Sequence, residues 1–141
     1  MIKNGKERGL NLQVGSFEVL EGNEYDLIIL NHVVEHFNNF WQDMAKIEMA
    51  MTAKGILYLG LPNANLFSYG VFQNSHNYYF KRSQLDMFMR ISGFDKISSG
   101  LMYEAQDFFA IYEKADVPNA ALLRKEKEKT KSFLKNLGVL K

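Results

Sequence analysis

Two apolar runs constrain the fold of this chain more than any other feature. Tyr25–Leu30 (YDLIIL) and Ile56–Leu61 (ILYLGL) carry almost no polar alternation. A strand with one face in water alternates apolar and polar residues, so unbroken runs of this length point to parallel strands covered on both faces. Between them, Asn38 and Asn39 can cap a helix through Met51, because an asparagine side chain accepts from the unpaired amides of a first helical turn. Phe40, Met44, Ile47 and Met51 form one apolar stripe at helical spacing. Lys54-Gly55 then breaks the chain before the second run. Strand, helix and strand with short connections make a βαβ unit, whose crossover is right-handed.

The flanks are read the same way. Ile2–Gly9 is a short helix stopped by Gly9, and Asn11–Gly15 is a short strand. Lys81–Ser92 returns to helix, with Leu85, Phe88, Met89 and Ile91 apolar and Gly93 ending it. Phe94–Leu101 and Asp107–Tyr112 form an antiparallel pair through Met102–Gln106. Pro62–Phe80 has no regular period and is long for a connection, and such loops are often functional. Its aromatics, Phe67, Tyr69, Phe72, Tyr78, Tyr79 and Phe80, suit either a lid over an apolar ligand or a filling for the core beneath. After Pro118 the chain becomes highly charged, and Ala120–Leu137 reads as a largely solvated helix. The expected division is a domain over 1–115 and a helical tail over 116–141.

Composition narrows the function. A chain of 141 residues can bury a real core in one domain. With 17 basic and 16 acidic residues, the net charge of +1 provides no field for nucleic acid or an anionic membrane. Cysteine is absent, which removes disulfides, thiolate nucleophiles and cysteine metal sites together. No apolar run approaches the ~20 residues of a membrane-spanning helix. The opening MIKNGKERG lacks the apolar core of a signal peptide, so a soluble cytoplasmic protein is expected.

In an open α/β sheet, ligands bind beyond the carboxyl ends of the strands. Asn31 and His32 follow one such end, and Pro62 and Asn63 the other. This placement nominates Asn31, His32, Glu35, His36, Asn63 and His76 as the polar rim of one crevice. Each alone is more often a turn former than a catalyst, and it is the convergence of two strand ends that gives the group weight.

Three segments sharpen the assignment. DLIILNHVVEH, MTAKGILYLGLPN and HNYYFKRSQLDMFMRISGF follow one another with gaps that resemble the C-terminal half of a class I S-adenosylmethionine-dependent methyltransferase acting on small molecules. The resemblance spans roughly Gly9–Glu113. It implies an α/β fold with a partial Rossmann-like sheet, mostly parallel and ending in an antiparallel hairpin. The family order is 3-2-1-4-5-7-6, and the first two strands have no counterpart here. The implied function is methyl transfer from S-adenosylmethionine to an oxygen or nitrogen of a small molecule. By the same resemblance, Asn31 and His32 lie at the methionine end of the cofactor and Ser16 and Phe17 by its adenine. His36 and His76 face the acceptor as proton-removing groups, with Glu35, Asn63, Tyr78 and Tyr79 around the substrate. No metal is expected.

The chain departs from the family in having no acidic G-x-G-x-G segment after a strand. The strand Tyr25–Leu30 then becomes an apolar edge that invites pairing. Three expectations follow: a truncated product, a homodimer through that edge, or Asn11–Gly15 laid across it, with the dimer preferred. Two other readings compete. A methyltransferase fold without its glycine-rich cradle can serve as a non-catalytic scaffold. His32-Val-Val-Glu35-His36 also matches the H-x-x-E-H zinc motif of inverted zincins, with Glu104 or Glu113 as a third ligand, provided that both histidines share one helix face.

Overall fold

The computed structural model describes residues 2–22, 24–66 and 75–115. A short helix, α1 (Ile2–Glu7), opens the chain and ends where Gly9 takes a left-handed φ of 79°. Then come β1 (Tyr25–Asn31), α2 (Phe40–Met49), β2 (Met51–Pro62), α3 (Arg82–Ile91), β3 (Phe94–Met102) and β4 (Asp107–Lys114). The four strands form one sheet in the order β1-β2-β4-β3. β1 lies parallel to β2, and β4 is antiparallel to both β2 and β3, so three strands point the same way and β4 opposes them. This is the 4-5-7-6 portion of the expected order.

The elements form for local reasons. Asn39 caps α2, its side-chain oxygen accepting from the Gln42 amide at 3.3 Å. α3 begins where the Lys81 amide donates to the Gln84 side chain at 3.1 Å, and Gly93 closes it with a φ of 88°. The β3–β4 turn passes through Tyr103, Glu104 and Ala105, all with left-handed φ.

Register explains the core. Ile28, Leu57 and Tyr112 stand side by side across β1, β2 and β4, as do Leu59 with Ala110 and Leu61 with Phe108. These residues share one face of the sheet, and all are buried. Phe40 of α2 is the centre of the aromatic layer, with ring contacts to Phe37, Tyr78, Phe80 and Phe88 at 5.2–6.4 Å. Tyr112 donates to Asp86 of α3 at 2.9 Å, and Lys96 of β3 reaches the other oxygen of that carboxylate.

Several expectations are corrected. β1 is not covered on both faces: Ile28 is buried, but Leu27 is 54% and Ile29 59% exposed among the described residues. α2 stops at Met49, and Met51 is buried in β2 rather than on the helix. Lys54-Gly55 does not precede the second strand but lies within it. Gly55 is hemmed by the Tyr25 carbonyl, the Met51 side chain and the Thr52 carbonyl at 3.0–3.1 Å from where a Cβ would stand. A glycine is needed there for a close approach, not for a break. Asn11–Gly15 forms no strand, so it cannot cap the β1 edge; it has no ladder partner, and Val14 is 78% exposed. The six loop aromatics divide. Phe80 is buried in the core with half-buried Tyr78 stacked on it, whereas Tyr79 is exposed. Phe67, Tyr69, Phe72 and the tail 116–141 lie outside the described residues. No described helix is long and apolar enough to cross a membrane.

Candidate functional site

The site begins where β1 ends. Asn31 is the last strand residue and pairs with Gly60 of β2. Its side-chain oxygen lies 2.2 Å from where a Cβ on Gly60 would be, so the missing side chain is what admits the amide. His32 then turns the chain with a left-handed φ of 52°, held by its amide donating to the Gly60 carbonyl at 2.9 Å. A histidine tolerates that conformation better than most side chains, but still at some cost. Its ring is held from both sides: Nδ1 lies 3.3 Å from Glu35 Oε1 and Nε2 3.3 Å from Asp107 Oδ2.

Past His32 a single 3-10 turn, Val34–His36, drives Val34 and Glu35 inward. Glu35 is 1% exposed. Neither of its carboxylate oxygens makes a hydrogen bond among the described residues; the His32 contact reaches ion-pair distance without hydrogen-bond geometry. Leaving a buried polar group unpaired costs about 1–3 kcal/mol, and more when it is charged.

The far loop is fastened onto this turn by backbone bonds. The amides of Asn77 and Tyr78 both donate to the Glu35 carbonyl, at 2.7 and 3.1 Å. The Asn77 side chain donates to the Phe37 carbonyl at 3.1 Å, and the Phe40 amide to the Tyr78 hydroxyl oxygen at 3.2 Å. His36 Nδ1 donates to the Ser75 carbonyl at 2.8 Å. A carbonyl can only accept, so that nitrogen carries the hydrogen, and in the neutral ring Nε2 keeps its lone pair. His76 is thereby set against His36, the ring centroids 4.8 Å apart and the planes at 72°. His76 Nδ1 is buried and has no hydrogen-bond partner among the described residues. One donor atom each from Glu35, His36 and His76 fall within 4.8 Å of one another.

No protein-family model matches the chain, and no curated protein matches it in sequence. Solved structures do match. The 1,6-didemethyltoxoflavin N1-methyltransferase of Burkholderia thailandensis, solved with 1,6-didemethyltoxoflavin and S-adenosylhomocysteine, is 13% identical with a TM-score of 0.64 over 82% of this chain. The mitomycin 7-O-methyltransferase MmcR is 14% identical, with a TM-score of 0.66 over 81%. A SAM-dependent methyltransferase of Archaeoglobus fulgidus is 14% identical, with a TM-score of 0.60 over 80% of each chain. The fold is that of a class I S-adenosylmethionine-dependent methyltransferase. The chain spans 56% of the first of these proteins and 38% of the second.

In this methyltransferase fold the sequence-nominated residues divide. Asn31, His32, Glu35, His36 and His76 meet at the carboxyl end of β1. Asn63, by contrast, is buried and serves the backbone: its side-chain Nδ2 donates to the Ala105 carbonyl at 2.9 Å and its side-chain oxygen accepts from the Asn65 amide at 3.1 Å. Tyr79 is exposed beside His76, with ring centroids 5.8 Å apart, whereas Tyr78 is part of the aromatic core. Ser16 and Phe17 do not end a strand as expected. Phe17 starts a 3-10 turn, its ring edge-on to Phe37 at 5.4 Å and under the Lys46 ammonium.

The inverted-zincin reading is overturned by the backbone. His32 is in a left-handed turn and His36 ends a three-residue 3-10 segment, so no α-helix presents the two together. Glu104 and Glu113 are exposed on the β3–β4 hairpin, and neither joins the cluster.

Sequence reasoning missed Asp107 and Asn77. Asp107 had a legible signal, because a strand antiparallel to β2 begins where β2 ends, and Asp107 pairs with Pro62. Asn77 had none; its role comes from the docking of the loop.

Proposed function

We propose that the chain forms the acceptor side of an S-adenosylmethionine-dependent methyltransferase that modifies an oxygen or nitrogen of a small molecule. The observation that carries this reading is the meeting of His36, His76 and buried Glu35 at a strand end of a methyltransferase fold. When bound, S-adenosylmethionine supplies a methyl group on a positively charged sulfur. The chain's own residues supply position and proton management, and positioning is worth several kcal/mol in a displacement of this kind.

The fit to that cofactor rests on the β1 end. Asn31 is exposed there and offers both a donor and an acceptor, with room left open by Gly60. His32, braced between Glu35 and Asp107, borders the same end. On this reading His36 Nε2, its ring oriented by Ser75, takes the proton of the acceptor, and exposed Tyr79 lines the substrate. A glycine-rich segment to cradle the rest of the cofactor is not among these 141 residues.

The same proposal includes a second copy paired along β1, where Leu27 and Ile29 present apolar surface. A cytoplasmic location belongs to it as well, in keeping with a cysteine-free chain.

Calorimetric titration with S-adenosylhomocysteine tests the reading. Micromolar binding, reduced at least tenfold in Asn31→Ala, is expected. Absence of binding at millimolar ligand, in monomer and oligomer alike, rejects it in favour of a non-catalytic scaffold of the same fold.

A further inference from the structure

We propose that Glu35, His36 and His76 bind a divalent transition-metal ion of the zinc class. The donor set is one carboxylate and two imidazoles, a mixed nitrogen–oxygen group that suits zinc and its first-row neighbours far better than calcium or magnesium, which take oxygen ligands. Ligands on one tetrahedral zinc sit about 3.4 Å apart, given metal–ligand bonds of about 2.0–2.1 Å. The three donor atoms already lie within 4.8 Å, so small torsional adjustments of the side chains bring them onto a common ion.

Three further observations point to a cation. Glu35 is almost completely buried, and its Oε2 has neither a hydrogen bond nor an ion pair among the described residues. Burying a carboxylate without a partner is unfavourable, and a cation in contact with it removes the penalty. His76 Nδ1 is likewise buried and unpaired. His36 has its Nδ1 hydrogen on the Ser75 carbonyl, which orients the ring and, when the ring is neutral, leaves the Nε2 lone pair available to coordinate. That is the outer-shell bond that metal-ligating histidines generally make.

The frame is also rigid. Asn77 and Tyr78, next to His76, bond through their amides to the carbonyl of Glu35 itself, so ligands from distant segments are held at a fixed spacing. Three protein ligands leave a coordination position open, as in catalytic rather than structural zinc sites. With the ion bound, His36 Nε2 coordinates instead of taking the proton, and the ion assumes that task, because a coordinated hydroxyl gives up its proton to solvent more readily than a free one. The site would thus select an acceptor whose reactive atom is a hydroxyl oxygen, a narrowing that rests on the methyltransferase reading, whereas the metal site itself does not.

The experiment is titration of the tag-free full chain, stripped with chelator, with zinc chloride by calorimetry, and with cobalt chloride by visible absorption. One ion per chain with low-micromolar or tighter affinity is expected, and intense cobalt bands of low coordination number. The chain has three histidines and no cysteine, so the ligands can be separated cleanly. Glu35→Gln, His36→Ala and His76→Ala should each weaken binding at least about 100-fold, with folding checked by circular dichroism, while His32→Ala, which removes an outer-shell partner of Glu35, costs about tenfold and Glu113→Gln, on the exposed β3–β4 hairpin, stays within about fivefold. No binding by the wild-type chain, or loss in His32→Ala with retention in His76→Ala, overturns the site. Binding of S-adenosylhomocysteine is measured in the same preparations. Metal binding without nucleoside binding supports the metal site and rejects the methyltransferase reading, and the converse result rejects the metal site alone.

Discussion

A carboxylate buried without hydrogen bonds makes Glu35 the most informative residue in the chain. In the metal-free protein its buried oxygens, without hydrogen bonds, oppose folding. Glu35→Gln should therefore raise the thermal stability of the chelator-treated chain, by about 1–3 kcal/mol, while lowering stability in the presence of zinc. Differential scanning calorimetry in the two buffers checks both signs. Gly60 permits a second prediction. An alanine there places its Cβ against the Asn31 amide, whose tip must swing away. Gly60→Ala should cost about 1–3 kcal/mol in stability and weaken S-adenosylhomocysteine binding, measured by denaturant titration and calorimetry. The positions of these residues at a strand end were legible from the sequence. The burial of Glu35 was not, because it comes with a 3-10 turn onto which Asn77 and Tyr78 dock from far along the chain, through the Glu35 carbonyl.

At the scale of elements, the central strand, both longer helices and the hairpin were readable because each carried its own pattern: an unbroken apolar run, a stripe with a cap, a glycine at the exit. Asn11–Gly15 shows the limit of that reasoning. A few alternating residues resemble a strand, but a strand exists only with a ladder partner, and none is offered among the described residues. The boundary at Met51 failed for a related reason. An apolar residue one turn beyond Ile47 satisfies a helix and a strand equally, and pairing with Tyr25 decided for the strand.

The contact of β4 with α3 yields a pH prediction. Burial, then the Asp86 charge, then the hydrogen bond to Asp86 raise the Tyr112 pKa well above its ordinary value. The folded chain thus holds that proton after the unfolded chain has released it. Stability from this group is complete below about pH 10 and is lost above it, by up to about 1.4 kcal/mol per pH unit. Tyr112→Phe should flatten the alkaline fall in melting temperature relative to wild type. An unchanged slope would assign the fall to other groups.

Among the described residues, the helices lie against one face of the sheet. The buried residues of β1, β2 and β4 face the helices, whereas Leu27 and Ile29 face outward on an end strand. Isolated exposed apolar side chains are ordinary, but two in one row at a sheet edge favour association. Ile29→Lys should shift a β1-paired dimer to monomer in sedimentation velocity at little cost in melting temperature. A dimer that persists places its interface elsewhere.

The hydrogen bond from His36 to Ser75 joins residues 39 positions apart, and the chain between them contains all of α2 and β2. Any bridge from His36 to His76 therefore acts as a clasp on a long ring of polypeptide, in the way a crosslink restricts an unfolded loop. Occupying the site would slow amide hydrogen exchange throughout α2, well beyond the three side chains that touch the ligand.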